Sequence, residues 1–342
     1  MTLTAVLPGG VDDLSVPSGG NSYDRRLCRG LVALGVDVRE ITVAGDWPRP
    51  GAAAREELAR TFAGVPDGGV VLVDGLVACG VPDVVVPHAA RLRLVVLVHL
   101  PLADETGLAA DVAAELDAAE REVLRAAAAV VATSPLASRR LVEHHGLVPE
   151  RVRTVPPGVD PAPLAPGTDG VSRLLCVASV TPRKGHDVLL DALAGLVDVP
   201  WTLDCVGPLG AEAHVAALRR RGLGDRVRFT GPLDGEPLDR AYAAADLFVL
   251  ASRAETYGMV VTEALARGIP VVASSVPDAL GDGGVLVPPG DVAALAAELR
   301  RWFGDERVRR GLRDAARKRR DLLTGWDGTA RLMAEVLVRV RG

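Results

Sequence analysis

Short valine-rich apolar runs alternate with amphipathic stretches along nearly the whole chain, and the pattern is laid down twice. In the first half, residues 3–7, 36–43, 70–74, 92–98 and 130–132 read as strands, with helices over 21–34, 52–63, 104–128 and 135–145 between them. The run 92–98 is apolar on both faces, as a central strand of a parallel sheet is. Ser134 followed by Pro135 marks a helix start, and Gly146 marks its end. Residues 155–170, VPPGVDPAPLAPGTDG, are dense in Pro and Gly, carry no period and read as a linker. Beyond them the alternation restarts, with strands over 174–179, 202–206, 227–230, 247–251 and 271–273. Repetition of this kind implies right-handed βαβ units and a parallel sheet. The expected fold class is therefore α/β, with two Rossmann-like, doubly wound parallel-sheet domains facing across a cleft.

Bulk properties narrow the class. A length of 342 residues suits about two domains. A net charge of −5 argues against nucleic acid as the partner. No run reaches about 18 uncharged apolar residues, and the first residues lack a basic region before an apolar stretch, so neither a membrane span nor a signal peptide is expected. Cys28, Cys79, Cys176 and Cys205 are scattered with no C-x-x-C, which points away from disulfides and zinc and toward the cytoplasm.

The segment 254–274, AETYGMVVTEALARGIPVVAS, concentrates the chemistry. Glu255 and Glu263 stand eight positions apart, and Gly258 between them opens a helix behind an apolar strand. A helix start there gathers unpaired backbone N–H groups, of Gly258, Met259 and Val260, and the positive end of the macrodipole, which suits a phosphate. Two carboxylates beside it suit sugar or ribose hydroxyls. The same glutamates also have an ordinary reading, since Glu263 precedes Arg267 by four and such a surface pair adds about 0.2–0.5 kcal/mol. Arg183 and Lys184 lie between a strand and a helix starting near Gly185. Cations at a helix N-terminus oppose its dipole, and a bound diphosphate would reverse that conflict; neutralisation by Asp187 is the alternative. Gly19 and Gly20 precede a helix and either admit a phosphate or make a turn. His99 ends the central strand at its carboxyl end, where ligands of open α/β sheets sit. The basic run 317–320 reads as a solvated helix face, and the acid-rich stretch 104–128 is a poor match for anionic lipid.

Two absences matter. There is no G-x-G-x-x-G for a dinucleotide, and no D-x-D pair to hold a metal–diphosphate. Metal-independent handling of a diphosphate is the inference, with no cofactor beyond a nucleoside-diphosphate sugar as co-substrate.

These pieces resemble the family 4 retaining glycosyltransferases of GT-B fold. The resemblance is carried by LLCVASVTPRKGHDVLLDAL, by VRFTGPLDGEPLDRAYAAADLFVLASRAETYGMVVTEALARGIPVVAS with its E-x7-E spacing, and by GVLVPPGD. It is looser in the first half, in SGGNSYDRRLCRGLVALG, LVHLP and TSPLASRRLVEHHGL…RVRTVPPGVD. It implies an acceptor domain over 1–160, a donor domain over 161–321 and a last helix, 322–342, crossing back. It further implies that Lys184 binds the donor diphosphate, Glu255 the transferred sugar and Glu263 the ribose. Gly258, Met259 and Val260 would hold the distal phosphate through backbone, Gly19 and Gly20 would close over the diphosphate, and His99 would face the sugar or acceptor. One departure is plain: where the family has an arginine five residues before the lysine, this chain has Ser179, and Arg183 is the candidate replacement. The expected activity is transfer of a sugar to a hydroxyl or amine of a small soluble acceptor. A pseudo-glycosyltransferase or phosphorylase of the same fold, and a non-catalytic sugar-nucleotide binder, are the alternatives.

Overall fold

The computed structural model describes residues 2–12 and 18–342. Contacts divide the described residues into two compact units, one holding residues 2–12 and Ser18–Gly158 together with Thr324–Gly342, the other Val159–Leu323. Each is built on a six-stranded sheet in which every paired strand is parallel.

In the first unit the strands are β1 (Thr2–Pro8), β2 (Asp37–Val43), β3 (Val70–Asp74), β4 (Arg93–Val98), β5 (Ala129–Ala132) and β6 (Val152–Thr154), in the order β2-β1-β3-β4-β5-β6. Winding reverses between β1 and β3. Leu94 to Val98 are all buried, so β4 is covered on both faces, with each large apolar side chain adding roughly 1.5–3 kcal/mol. The helix Trp326–Arg341 belongs to this unit and lies along the helix Gly19–Ala33, close enough that a Cβ on Gly30 would stand 2.7 Å from that of Ala330.

In the second unit β7 (Arg173–Val177), β8 (Thr202–Val206), β9 (Val227–Gly231), β10 (Leu247–Leu250), β11 (Val271–Ser274) and β12 (Gly284–Val287) take the order β12-β11-β10-β7-β8-β9. This is the doubly wound arrangement, with the reversal between β7 and β10. Its core is led by the buried Trp302, Tyr242 and Phe248. The last two stack at 6.1 Å.

Three expectations need correction. The helix expected over 104–128 is Ala110–Ala126, preceded by a 3-10 turn at Leu102–Asp104, because Gly107 adopts φ 89° and interrupts it. β6 and β12 were not anticipated; both are edge strands and lack the fully buried run of the equally short β5 and β11. The Pro/Gly-rich segment 155–170 contains no helix or strand, but it is tied down rather than loose. Asp246 accepts from the Thr168 amide at 2.8 Å, its hydroxyl at 2.6 Å, and the Gly170 and Arg173 amides at 3.1 and 3.0 Å. No helix among the described residues is long and apolar enough to cross a membrane.

The packing makes one position intolerant. A Cβ at Gly158 would lie 2.3 Å from the Trp326 backbone nitrogen, whereas one at Gly311, in the helix Glu306–Arg320, meets nothing within 4 Å. Gly158→Ala is expected to destabilise the protein by about 1–3 kcal/mol and Gly311→Ala to stabilise it by about 0.5–1 kcal/mol in urea unfolding.

Candidate active site

The second unit places the expected donor residues at its switch point. Lys184 follows β7 at the end of a 3-10 turn, Pro182–Lys184, and Glu255 follows β10. Because β7 and β10 are paired neighbours, these two loops emerge side by side. They are stitched together by the Arg253 amide, which donates to the Arg183 carbonyl at 2.8 Å. Gly185, at φ 67°, permits that approach, since a Cβ there would fall 2.0 Å from the Ala251 carbonyl oxygen.

Across the junction Lys184 Nζ donates to Glu255 Oε1 at 2.6 Å, and the side chains keep only 17% and 8% of their exposure. Ser252 Oγ donates to the same oxygen at 2.7 Å, and its carbonyl accepts from Ser274 Oγ at 2.6 Å. Arg183 lies beside the pair, 3.9 Å from Glu255 Oε2, and donates to the Ala254 carbonyl at 3.3 Å. Two cations thus flank one carboxylate. Asp187 does not neutralise them: it takes a two-pronged ion pair from Arg253 at 2.8 and 2.7 Å, which holds its carboxyl below the usual range.

The helix Met259–Ala266 starts at Gly258, φ 95°, with no side-chain cap. Its first amides, at Met259 and Val260, have no acceptor within the helix. Gly258 also fits a tight space, since a Cβ would meet Val276 at 2.5 Å. Glu263, one helical turn on, accepts from the buried Tyr242 hydroxyl at 2.8 Å. Burial and this carboxylate push the Tyr242 phenol well above its ordinary pKa. Arg267 pairs with Asp239 at 2.5 Å, donates to the Glu263 carbonyl oxygen at 3.1 Å and stacks over the Tyr242 ring.

In the first unit Gly19 and Gly20 do not precede the helix but form its first turn, after Ser18 as an N-cap without a side-chain bond. Gly20 lies against His99, where a Cβ would meet Cδ2 at 3.0 Å. His99 Nε2 is 2.8 Å from Asp24 Oδ1, and its ring meets Tyr23 edge-on at 5.1 Å. Asp24 and Asp74 are buried; Asp74 ends β3 and caps the short helix Gly75–Ala78 by accepting from the Leu76 amide at 2.7 Å. Burial alone would lower the His99 pKa, but Asp24 and then Asp74 outweigh it and lift it to about 9. Burial and the Asp24 charge push the Asp74 carboxyl up to about 7. Neither Asp24, Asp74 nor Ser252 was singled out from sequence; a carboxylate 75 residues from its histidine leaves no local signal.

Two groups among the described residues bring possible ligand atoms within 4.8 Å of one another: Asp24, Asp74 and His99, and Asp117, His144 and His145. In each, a histidine nitrogen is already committed, His99 Nε2 to Asp24 and His144 Nε2 to Asp117.

Residues 171–305 match the profile of the glycosyl transferases group 1, and residues 17–163 that of glycosyltransferase family 4. The chain belongs to the family 4 glycosyltransferases. It is 33% identical over 252 residues to a D-inositol 3-phosphate glycosyltransferase of Jonesia denitrificans, a match covering 65% of this chain and 59% of that one. Against the protein of the same name from Geodermatophilus obscurus identity is 34% over 241 residues, covering 61% and 52%. The match therefore spans less than two thirds of the length of these curated relatives. Among solved structures, sucrose-phosphate synthase from Thermosynechococcus elongatus superposes with a TM-score of 0.79 at 23% identity, covering 99% of this chain and 98% of that one. Anabaena HepE in complex with UDP and glucose gives 0.74 at 20%, covering 98% and 99%. These likenesses establish the GT-B fold.

The His99 cluster sets a pH dependence. Its folded-state value of about 9 lies above the ordinary 6.5, so the stability contributed by this pairing is fully present below pH about 6.5 and is lost as pH rises through about 9. A histidine NMR titration is expected to show one imidazole titrating near 9, and Asp24→Asn is expected to lower it.

Proposed function

We propose that the chain is a retaining glycosyltransferase that moves a sugar from a nucleoside-diphosphate sugar to a hydroxyl or amine of a small soluble acceptor. The observation that carries this reading is the Lys184–Glu255 pair at the switch point, with Arg183 beside it. It lies in the same β10-to-helix connection as the uncapped start of Met259–Ala266. A diphosphate in this second unit takes its stabilising charge from Lys184, from Arg183 in place of the cation missing at Ser179, and from the amides of Gly258, Met259 and Val260. In this reading no divalent metal and no further cofactor are required. Glu255, released from Lys184, accepts hydroxyls of the sugar, and Glu263 those of the ribose. In the first unit, His99 serves the sugar or acceptor, and the first turn at Gly19 and Gly20 approaches the diphosphate.

The reaction breaks the anomeric carbon–oxygen bond to the diphosphate and forms one to the acceptor on the same face. The acceptor proton passes to a diphosphate oxygen. Catalysis is mostly positioning and electrostatic stabilisation of the departing diphosphate. Four free, buried cysteines support a reducing, cytoplasmic setting.

Ser179 keeps a phosphorylase or pseudo-glycosyltransferase reading in view, and the test separates them. Lys184→Ala is expected to cut turnover by about 10²–10³, and Glu263→Ala chiefly to raise the donor KM. Release of free nucleoside diphosphate by the wild type, without dependence on inorganic phosphate, is the expected readout. Donor bound without any release counts for the binding protein instead. Unchanged kinetics in Glu263→Ala removes the ribose assignment.

A further inference from the structure

At the opposite end of the first sheet from His99, a cavity of about 410 Å³ opens beside the amino ends of β4, β5 and β6. Four arginines line it: Arg93, the first residue of β4; Arg151, at the end of the 3-10 turn Pro149–Arg151; Arg153, in β6; and Arg339, in the last turn of Trp326–Arg341. Among the described residues none of the four guanidinium groups has a hydrogen bond or an ion pair. Elsewhere in the same unit some arginines do find carboxylates, Arg25 with Asp12, Arg55 with Asp83 and Arg121 with Asp117. Here the only carboxylate lining the cavity is Glu150, set against four positive charges, in a chain whose net charge is −5. The alanines 126–129, where a helix passes into β5, also lie along it.

Four like charges brought together repel one another, and the low-dielectric walls of a concavity concentrate their field. Arg339 and Arg151 stand in the last turns of their helices, where a cation complements the negative end; Arg93 and Arg153, on strands, have no such partner. A guanidinium fork matches phosphate oxygens two at a time. The volume falls in the range of small-molecule sites, about 300–1,000 Å³, and suits a compact ligand rather than an extended polyanion. We propose that this cavity is a second anion site, taking a phosphate whose charge is held by Arg93, Arg151, Arg153 and Arg339. It is separate from the proposed reaction: β4 alone, at about 3.3 Å per residue, puts roughly 20 Å between Arg93 and His99. The phosphate belongs either to a free organic phosphate or to a lipid headgroup.

The test is calorimetric titration of the full chain with inorganic pyrophosphate, which also probes the donor site. Three variants are compared with wild type: Arg93→Ala/Arg153→Ala, the fully surface-exposed pair Arg151→Ala/Arg339→Ala, and Lys184→Ala. The expected result is a binding event weakened by about tenfold or more in both arginine pairs, and left intact by Lys184→Ala. Flotation with phosphatidylcholine vesicles containing phosphatidic acid then names the source. Flotation lost in the arginine pairs assigns a lipid headgroup; pyrophosphate binding without flotation assigns a free phosphate. Pyrophosphate binding unchanged in both pairs, with no vesicle binding by wild type, overturns the proposal. Loss of binding confined to Lys184→Ala does the same while leaving the donor-site reading standing.

Discussion

The Lys184–Glu255 ion pair exists because two loops far apart in sequence leave neighbouring strands. β7 and β10 are adjacent only because the winding of the sheet reverses between them. That reversal opens a crevice at the strand ends, where no crossover helix covers the gap. A lysine and a glutamate pointing into it would be costly to desolvate singly, and as a pair with Ser252 and Arg183 each has a partner. The same contact leaves the lysine largely screened from water. The Arg253–Asp187 pair and the close approach at Gly185 keep the two loops in register, so that the geometry is supplied by the scaffold rather than by the ligand.

The first unit solves a similar problem with different groups. Its reversal lies between β1 and β3, and there Asp74 ends β3, His99 follows β4, and Asp24 comes in from the helix after β1. Burial and then the neighbouring Asp24 charge raise Asp74, while Asp24 and then Asp74 outweigh the burial of His99 and raise its pKa. Tyr23 packs on His99 and anchors through its hydroxyl to the Val155 carbonyl at 2.8 Å. Trp326, from the last helix, closes the other side of Tyr23 at 5.7 Å. The C-terminal helix thus braces the histidine through one aromatic ring.

The α/β class and most strands were legible because parallel strands are apolar on both faces and their valine runs stand out. Two edge strands were not, since they pair on one side only and are not buried throughout. Glu255, Gly258 and Glu263 stood out together because their spacing places them around one strand-to-helix turn; Lys184, 71 residues earlier, was tied to them only by the resemblance. What was hidden is what depends on tertiary proximity: that Asp187 serves Arg253 rather than the neighbouring cations, that Glu263 holds Tyr242, and that Asp24 and Asp74 govern His99. Gly19 and Gly20 were read as preceding the helix, there either to admit a phosphate or to make a turn. The structure uses them as the helix's first turn, where the absence of a side chain at Gly20 lets the imidazole lie against the backbone.

The central claim is that the Lys184–Glu255 junction receives a nucleoside diphosphate without a metal. The direct measurement is a thermal-shift titration with UDP, GDP, ADP, dTDP and CDP, each in EDTA and in magnesium. At 100 times its dissociation constant a ligand adds about 2.7 kcal/mol of stability. The account predicts that one diphosphate stands out and does so equally in EDTA, with the shift lost in Lys184→Ala. No response to any of the five, or a response that appears only with magnesium, would contradict it.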